Sequence, residues 1–239
     1  MRIKRLCVIL LISIAVLICL GICYKIGSPS KEVGKDVTFE MADNWEDEFY
    51  IEEISDEVFQ KMQGASYKEN CTIPRESLRY VHILHCDFNN ESREGELVCN
   101  EAVAQDLLEI FRKLYKSGYQ IEKVRLVDEY GAVDEDSMAD NNSSAFNYRT
   151  ISYTDIISAH GMGVAVDINP LYNPYVKEVD GRTSVEPANG APYVDRTQDI
   201  PHKIDHDDLC YKLFVQHGFQ WGGDWTDSKD YQHFEKAID

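Results

Sequence analysis

The clearest periodic pattern in the chain predicts a helix between Asn100 and Gly118. Apolar side chains recur there at three- and four-residue steps, which places them on one face of a helix. Asn100 is a favourable N-cap residue, and Gly118 can end the helix. A second, shorter helix is expected to begin near Asp205 and to stop at Gly218.

Short segments rich in β-branched and aromatic residues alternate with these helices. Residues 80–88 predict one strand, 124–126 a half-buried strand, and 164–168 a third. Residues 131–147 are acidic and rich in Asn and Ser, so a loop is expected there. Strands and helices that alternate without regular βαβ units are typical of an α+β domain.

The N-terminal segment carries an export signal. Residues 6–24 are nineteen consecutive uncharged positions, and three basic residues precede them. This length lies between a signal peptide and a membrane-spanning helix of roughly 20 residues. We predict a signal anchor or signal peptide over 1–25, an acidic stalk over 26–55 and the folded domain over 56–239. We favour an uncleaved anchor, with the domain on the extracytoplasmic side of the membrane; cleavage would make the protein secreted.

The charge of the chain excludes one class of partner. The sequence has 24 basic and 42 acidic residues, and three of the basic ones precede the apolar run. The remainder has 21 basic residues and a formal net charge of −21. Such a surface repels phosphates, so no nucleic acid is expected as a partner.

Cysteine spacing does not indicate a cysteine-based metal site. Three of the seven cysteines lie in the apolar run, and no CxxC spacing occurs among the other four. In an exported domain those four allow up to two disulfides in three pairings, which the sequence leaves open. The four are Cys71, Cys86, Cys99 and Cys210.

Two histidines and an aspartate predict a metal site. His160 and Asp167 lie seven residues apart, and His233 follows downstream. Such a set is a frequent ligand set for catalytic zinc, because three protein ligands leave a fourth position open for water. Gly161 and Gly163 allow a close turn behind His160.

Two further side chains suggest hydrolysis. Asp230 precedes His233 by three residues, so its carboxylate is expected to act as general base toward water. Arg149 can bind a substrate carboxylate or stabilise an oxyanion.

The spacing of these residues resembles a known peptidase family. Residues 158–167 read SxHxxGxAxD and residues 230–235 read DxxHFE. This pattern is similar to the M15 family of zinc D-Ala-D-Ala carboxypeptidases, dipeptidases and L-Ala-D-Glu endopeptidases, and looks like its M15_4-type branch. The segments at 78–81, 144–149, 173–175 and 221–225 extend the resemblance, which covers about residue 60 to 236.

The resemblance implies a fold and a role for each motif residue. It implies a single compact zinc peptidase domain of the hedgehog/DD-peptidase type, with Zn²⁺ as the cofactor. The implied zinc ligands are His160, Asp167 and His233, the implied catalytic residues are Asp230 and Arg149, and the implied substrate-binding residues are Arg149 and Ser158.

These inferences predict a zinc peptidase that trims peptidoglycan stem peptides, most simply as a D-alanyl-D-alanine carboxypeptidase. An L-Ala-D-Glu endopeptidase is the alternative within the enzyme class. A non-catalytic module that binds cell wall or protein is the alternative from another class, since the related hedgehog signalling domain serves recognition. The expected partners are peptidoglycan peptides and, through the apolar segment, the membrane.

Overall fold

A computed structural model of the 239-residue chain describes residues 39–151 and 154–238. The predicted anchor over 1–25 and the first part of the predicted stalk lie outside these residues. Within the described ranges, no helix is both long enough and apolar enough to cross a membrane.

Helices and strands are mixed along the described residues, which confirms the predicted α+β class. The helices are α1 (Asp56–Met62), α2 (Glu101–Lys116), α3 (Asp134–Ala139), α4 (Ala159–Met162) and α5 (Leu209–Gln216). The strands are β1 (Tyr50–Glu53), β2 (Leu78–Cys86), β3 (Ser92–Asn100), β4 (Lys123–Val124), β5 (Asn142–Ser143), β6 (Ala165–Asp167), β7 (Tyr175–Val179), β8 (Arg182–Glu186), β9 (Gln220–Trp221), β10 (Ser228–Asp230) and β11 (His233–Glu235). Short 3-10 helices cover Trp45–Glu48, Arg75–Ser77, Val127–Tyr130, Ala188–Tyr193 and Gly222–Asp224.

Three small antiparallel sheets build the domain. The first has the order β1-β2-β3, the second β6-β11-β9 and the third β10-β7-β8. Strands β4 and β5 form a separate parallel pair. Strand β11 is the central strand of the second sheet and β10 is an edge strand of the third, so two strands that are neighbours along the chain belong to different sheets.

Helix α2 supplies the centre of the core. Its side chain cap forms as predicted, with Asn100 Oδ1 accepting from Ala102 N at 3.0 Å. Its apolar face packs in one cluster with residues of β2, β6, β11 and α5. Phe111 on this face is 1% exposed, and Phe234 of β11 is fully buried in the same cluster. The core therefore lies directly behind the strands that carry the predicted ligands.

Residues 39–55 belong to the packed structure, although the sequence analysis placed 26–55 in a stalk. Strand β1 pairs with β2, and Phe49 is buried at 5% exposure. Phe39 packs edge-on against Tyr115 of α2, with ring centroids 5.2 Å apart. The acidic composition of this segment did not indicate the packing, because only a few aromatic residues contact the core and most acidic side chains between them face solvent.

Two other expectations differ from the structure. Residues 131–147, expected to form a loop, contain helix α3 and strand β5. The strand β3 was not predicted, because half of its residues are polar and it follows a turn at residues 87–91.

The four cysteines considered for disulfides, Cys71, Cys86, Cys99 and Cys210, are free thiols, and the last three are buried.

Replacement of Phe111 by Ala should test the core behind the site. The cavity left in the packed interior is expected to lower the free energy of unfolding by about 3–5 kcal/mol, measured by urea denaturation. Gln105→Ala, on an exposed position of the same helix, should change it by less than about 0.5 kcal/mol. Equal effects of the two substitutions would contradict the proposed core.

Candidate active site

Three elements bring the predicted metal ligands together. His160 lies in α4, Asp167 ends β6 and His233 begins β11. Strands β6 and β11 pair in antiparallel register with His233 directly opposite Asp167. Residues opposite one another in a sheet have neighbouring side chains on the same face. The sequence separation of 66 residues is therefore closed by strand pairing.

The three side chains form a compact, buried cluster. One ligand atom from each of His160, Asp167 and His233 lies within 4.8 Å of the other two. Asp167 Oδ2 is 3.2 Å from His160 Nε2, and Asp167 Oδ1 is 3.1 Å from His233 Nδ1. The two imidazole nitrogens are 3.1 Å apart. All three residues are at most 9% exposed.

The second nitrogen of each imidazole has its own partner outside the cluster. His160 Nδ1 donates to the main-chain oxygen of Ala145 at 2.7 Å. His233 Nε2 lies 3.3 Å from Glu235 Oε2. A hydrogen bond to the outer nitrogen fixes the tautomer and leaves the inner nitrogen to bind a metal ion. The donor set, two imidazole nitrogens and one carboxylate, therefore fits a divalent metal ion such as zinc.

The cluster is strongly polarised. Burial opposes ionisation of Asp167, but His160 and His233 hold the pKa of its carboxyl well below the usual range. Burial also opposes the imidazolium of His233, yet Asp167 and Glu235 raise its pKa to about 10. The negative carboxylates thus attract positive charge, as protons or as a metal cation. Metal binding would displace these protons, because a histidine ligand must be neutral.

Helix α4 holds His160 through its two ends. Ser158 is the N-cap, and its Oγ accepts from Gly161 N at 3.0 Å. Gly163 ends the helix in the left-handed conformation, with φ of 74°. A Cβ on Gly161 would lie 2.7 Å from the main-chain oxygen of Arg149, so this approach requires glycine. The predicted substrate role of Ser158 stays a prediction, and the structure gives its hydroxyl a capping role.

Asp230 is close to the cluster, at the end of β10. A Cβ on Gly222 would lie 2.8 Å from Asp230 Cβ and 3.3 Å from His233 Cβ. The side chains of Asp230 and His233 therefore both begin next to Gly222. Asp230 Oδ1 is buried and has no hydrogen-bond partner in the described residues. Burial raises the pKa of Asp230 to about 7, and the charge of Asp167 adds to this increase against the effect of His233. Such a carboxyl can exchange a proton near neutral pH.

The main chain of Arg149 is hydrogen-bonded to the residue that precedes α4, the helix that contains His160. Ser158 N donates to Arg149 O at 2.9 Å, directly before α4. Its side chain Nε is 2.8 Å from Asp134 Oδ2, while Nη1 is buried without a hydrogen-bond partner in the described residues. The N–H groups of Nη1 are therefore free to donate to an anionic group.

Several residues support the site through contacts that the sequence did not predict. Glu235 was quoted within the downstream motif but was given no role, although its i+2 spacing from His233 in a strand places both on one face. Trp225 packs against His233, with ring centroids 5.3 Å apart. The Ala145 carbonyl and the Asp134 carboxylate lie in the segment expected to be a loop; Ala145 belongs to the segment 144–149 of the resemblance, which gave it no role, and no motif indicates Asp134.

Glu235→Gln should weaken metal binding while it preserves the shape of the side chain. Loss of the negative charge beside His233 Nε2 is expected to lower zinc affinity by about 10- to 100-fold, measured by competition with a chelator. Glu53→Gln removes the same charge from an exposed position of β1 and should leave the affinity unchanged. Equal zinc affinity in the two variants would show that Glu235 does not support His233.

Comparison with known proteins agrees with this site. Residues 152–236 match the M15 peptidase family model described as D-alanyl-D-alanine carboxypeptidase. Comparison with curated proteins and with solved structures finds no match. The matched segment contains the three clustered ligands and Asp230, whereas Arg149 lies just before it. The match confirms the predicted resemblance to M15 peptidases for the segment that carries the metal cluster.

Proposed function

We propose that this protein is a zinc peptidase that removes the terminal residue from peptidoglycan stem peptides, as a D-alanyl-D-alanine carboxypeptidase. One observation carries the proposal: Asp230, half-buried and with a buried, unpartnered Oδ1, lies beside three buried side chains that can hold a metal ion. The family match supports a peptidase of this type. On the same grounds we assign the fold to the hedgehog/DD-peptidase type.

Zinc is the proposed cofactor. His160, Asp167 and His233 would hold the ion through two nitrogens and one carboxylate oxygen. When bound, the ion supplies Lewis-acid chemistry, which lowers the pKa of water and polarises a carbonyl group. The contacts of Ala145 and Glu235 with the outer imidazole nitrogens leave the two inner nitrogens, which lie beside Asp167, free to hold the ion.

Asp230 is the proposed general base. Its raised pKa allows it to take a proton from the attacking water near neutral pH. The same carboxyl can then deliver that proton to the nitrogen of the leaving amino acid.

Arg149 is the proposed binding group for negative charge on the substrate. A carboxypeptidase substrate ends in a carboxylate, and a guanidinium can bind it through two parallel hydrogen bonds. The buried and unpartnered Nη1 of Arg149 supports this role. Ser158 is proposed to contact the substrate through the hydrogen of its hydroxyl, since its oxygen already accepts from Gly161 N.

The proposed location is the outer face of a cell membrane. The uninterrupted apolar run over 6–24, preceded by basic residues, supports export and anchoring. Peptidoglycan lies outside the membrane, so an exported domain would meet its substrate there. Cleavage of the segment would release the same domain as a secreted enzyme.

A defined stem pentapeptide provides the direct test. The zinc-loaded protein should release terminal D-Ala, identified by mass spectrometry, and Asp230→Asn should reduce the rate by about 10²- to 10⁴-fold. Asp227→Asn, exposed and three residues away, should retain the parent rate. His233→Ala should lose zinc and hydrolysis together, and normal turnover by that variant would refute the metal assignment.

The fragments also separate the alternatives. Cleavage between L-Ala and D-Glu would replace the carboxypeptidase assignment with an endopeptidase. Binding of the peptide without any cleavage by the parent would favour a recognition module.

The rate should depend on pH through Asp230. A base is active when deprotonated, so kcat/KM is expected to rise with pH through the pKa of Asp230. That pKa is about 7 without a cation. A bound cation stabilises the carboxylate, so the midpoint of the increase in kcat/KM is expected at or below pH 7. The measurement is kcat/KM from about pH 5 to about pH 8. A rate that decreases steadily over this range would contradict the base role.

A further inference from the structure

The ion pair between Arg149 and Asp134 uses Nε of the guanidinium and leaves the buried Nη1 without a partner in the described residues. Asp134 Oδ2 contacts Nε of the guanidinium at 2.8 Å. Nη1 carries two more N–H groups, is buried, and has no hydrogen-bond partner among the described residues. The two side chains are 34% and 33% exposed, yet Nη1 itself is buried. Here a buried donor is left without a protein acceptor.

Asp134 is itself fixed by a second contact. Its Oδ1 accepts from Asn147 Nδ2 at 2.6 Å, and the same amide nitrogen donates to Ala132 O at 3.3 Å. Asn147 is 3% exposed, and its main-chain nitrogen donates to His160 O at 3.2 Å. The carboxylate of Asp134 is therefore linked to the segment that also supports His160.

Helix α3, which begins with Asp134, is attached at both ends to the segment that follows β8. Glu135 Oε1 accepts from Ala188 N at 2.7 Å. Asn189 Nδ2 donates to Ala139 O at 3.0 Å. These contacts attach α3 to that segment, and Asp134 presents its carboxylate to Arg149 from the first turn of the helix.

We infer that Asp134 is a positioning residue that holds Arg149 by Nε and leaves its Nη groups for the terminal carboxylate of a peptide. An aspartate at Nε restrains the rotation of the guanidinium plane, which a bidentate contact with a carboxylate requires. Asp134 would thereby set the preference for peptides with a free C-terminus. The inference rests on the proposed role of Arg149 in substrate binding.

The test measures binding rather than turnover. Asp230→Asn is used as the background, so that bound peptide is not hydrolysed, and the protein is loaded with zinc. Calorimetry compares a stem pentapeptide that ends in a free carboxylate with the same peptide as its C-terminal amide. Asp134→Ala and Asp134→Asn are added to this background. Asp136→Ala, an exposed acidic residue of the same helix, is the matched control.

The background protein should prefer the free carboxylate by about tenfold or more, as expected for a charge-assisted hydrogen bond. Asp134→Ala should remove most of this preference, and Asp134→Asn, which keeps a weaker acceptor, should remove part of it. Asp136→Ala should preserve it. Zinc content and circular dichroism spectra should match in all variants.

Three results would overturn the inference. They are an unchanged preference for the free carboxylate in Asp134→Ala, an equal loss of affinity for both peptides in that variant, and no preference in the background protein. Hydrolysis by the parent protein reports on the proposed function separately. A parent that cleaves no peptide, but whose carboxylate preference depends on Asp134, would refute the peptidase and support the positioning role.

Discussion

The pairing of β11 with β6 is the contact on which the site depends. It places His233 opposite Asp167 and, one residue on, Phe234 opposite Val166. Alternate residues of a strand face opposite sides, so the ligands face the site while Phe234 and Val166 face the core. A slip of one residue would exchange the two faces. The packing of the core and the assembly of the ligands are therefore one constraint.

Two neighbouring carboxyls, the buried Asp167 and the half-buried Asp230, have opposite properties. Asp167 contacts two imidazoles, which keep it ionised despite its burial. Asp230 has a buried oxygen without a partner, and burial favours its protonated form. Environments that separate the pKa values of neighbouring acids assign different roles to them. The geometry thus gives one carboxylate the character of a ligand and the other that of a proton acceptor.

The sequence predicts the parts of the structure that depend on local pattern. Helix α2 has a regular apolar face and a capping residue, and the ligands stand in a motif with fixed spacing. Strand β3 was missed because its exposed face is charged, and its place is set by pairing with β2. Helix α3 was missed because most of its residues are acidic or small, and its position depends on contacts with the segment after β8.

The orientation of His160 depends on a main-chain oxygen rather than a side chain. Any residue at position 145 that fits the buried space would present the same acceptor, so neither comparison of sequences nor replacement of that side chain would reveal its role. What selection can act on there is the path of the backbone. Substitutions that shift this path by a fraction of an ångström could thus change metal retention without altering any residue that touches the ion.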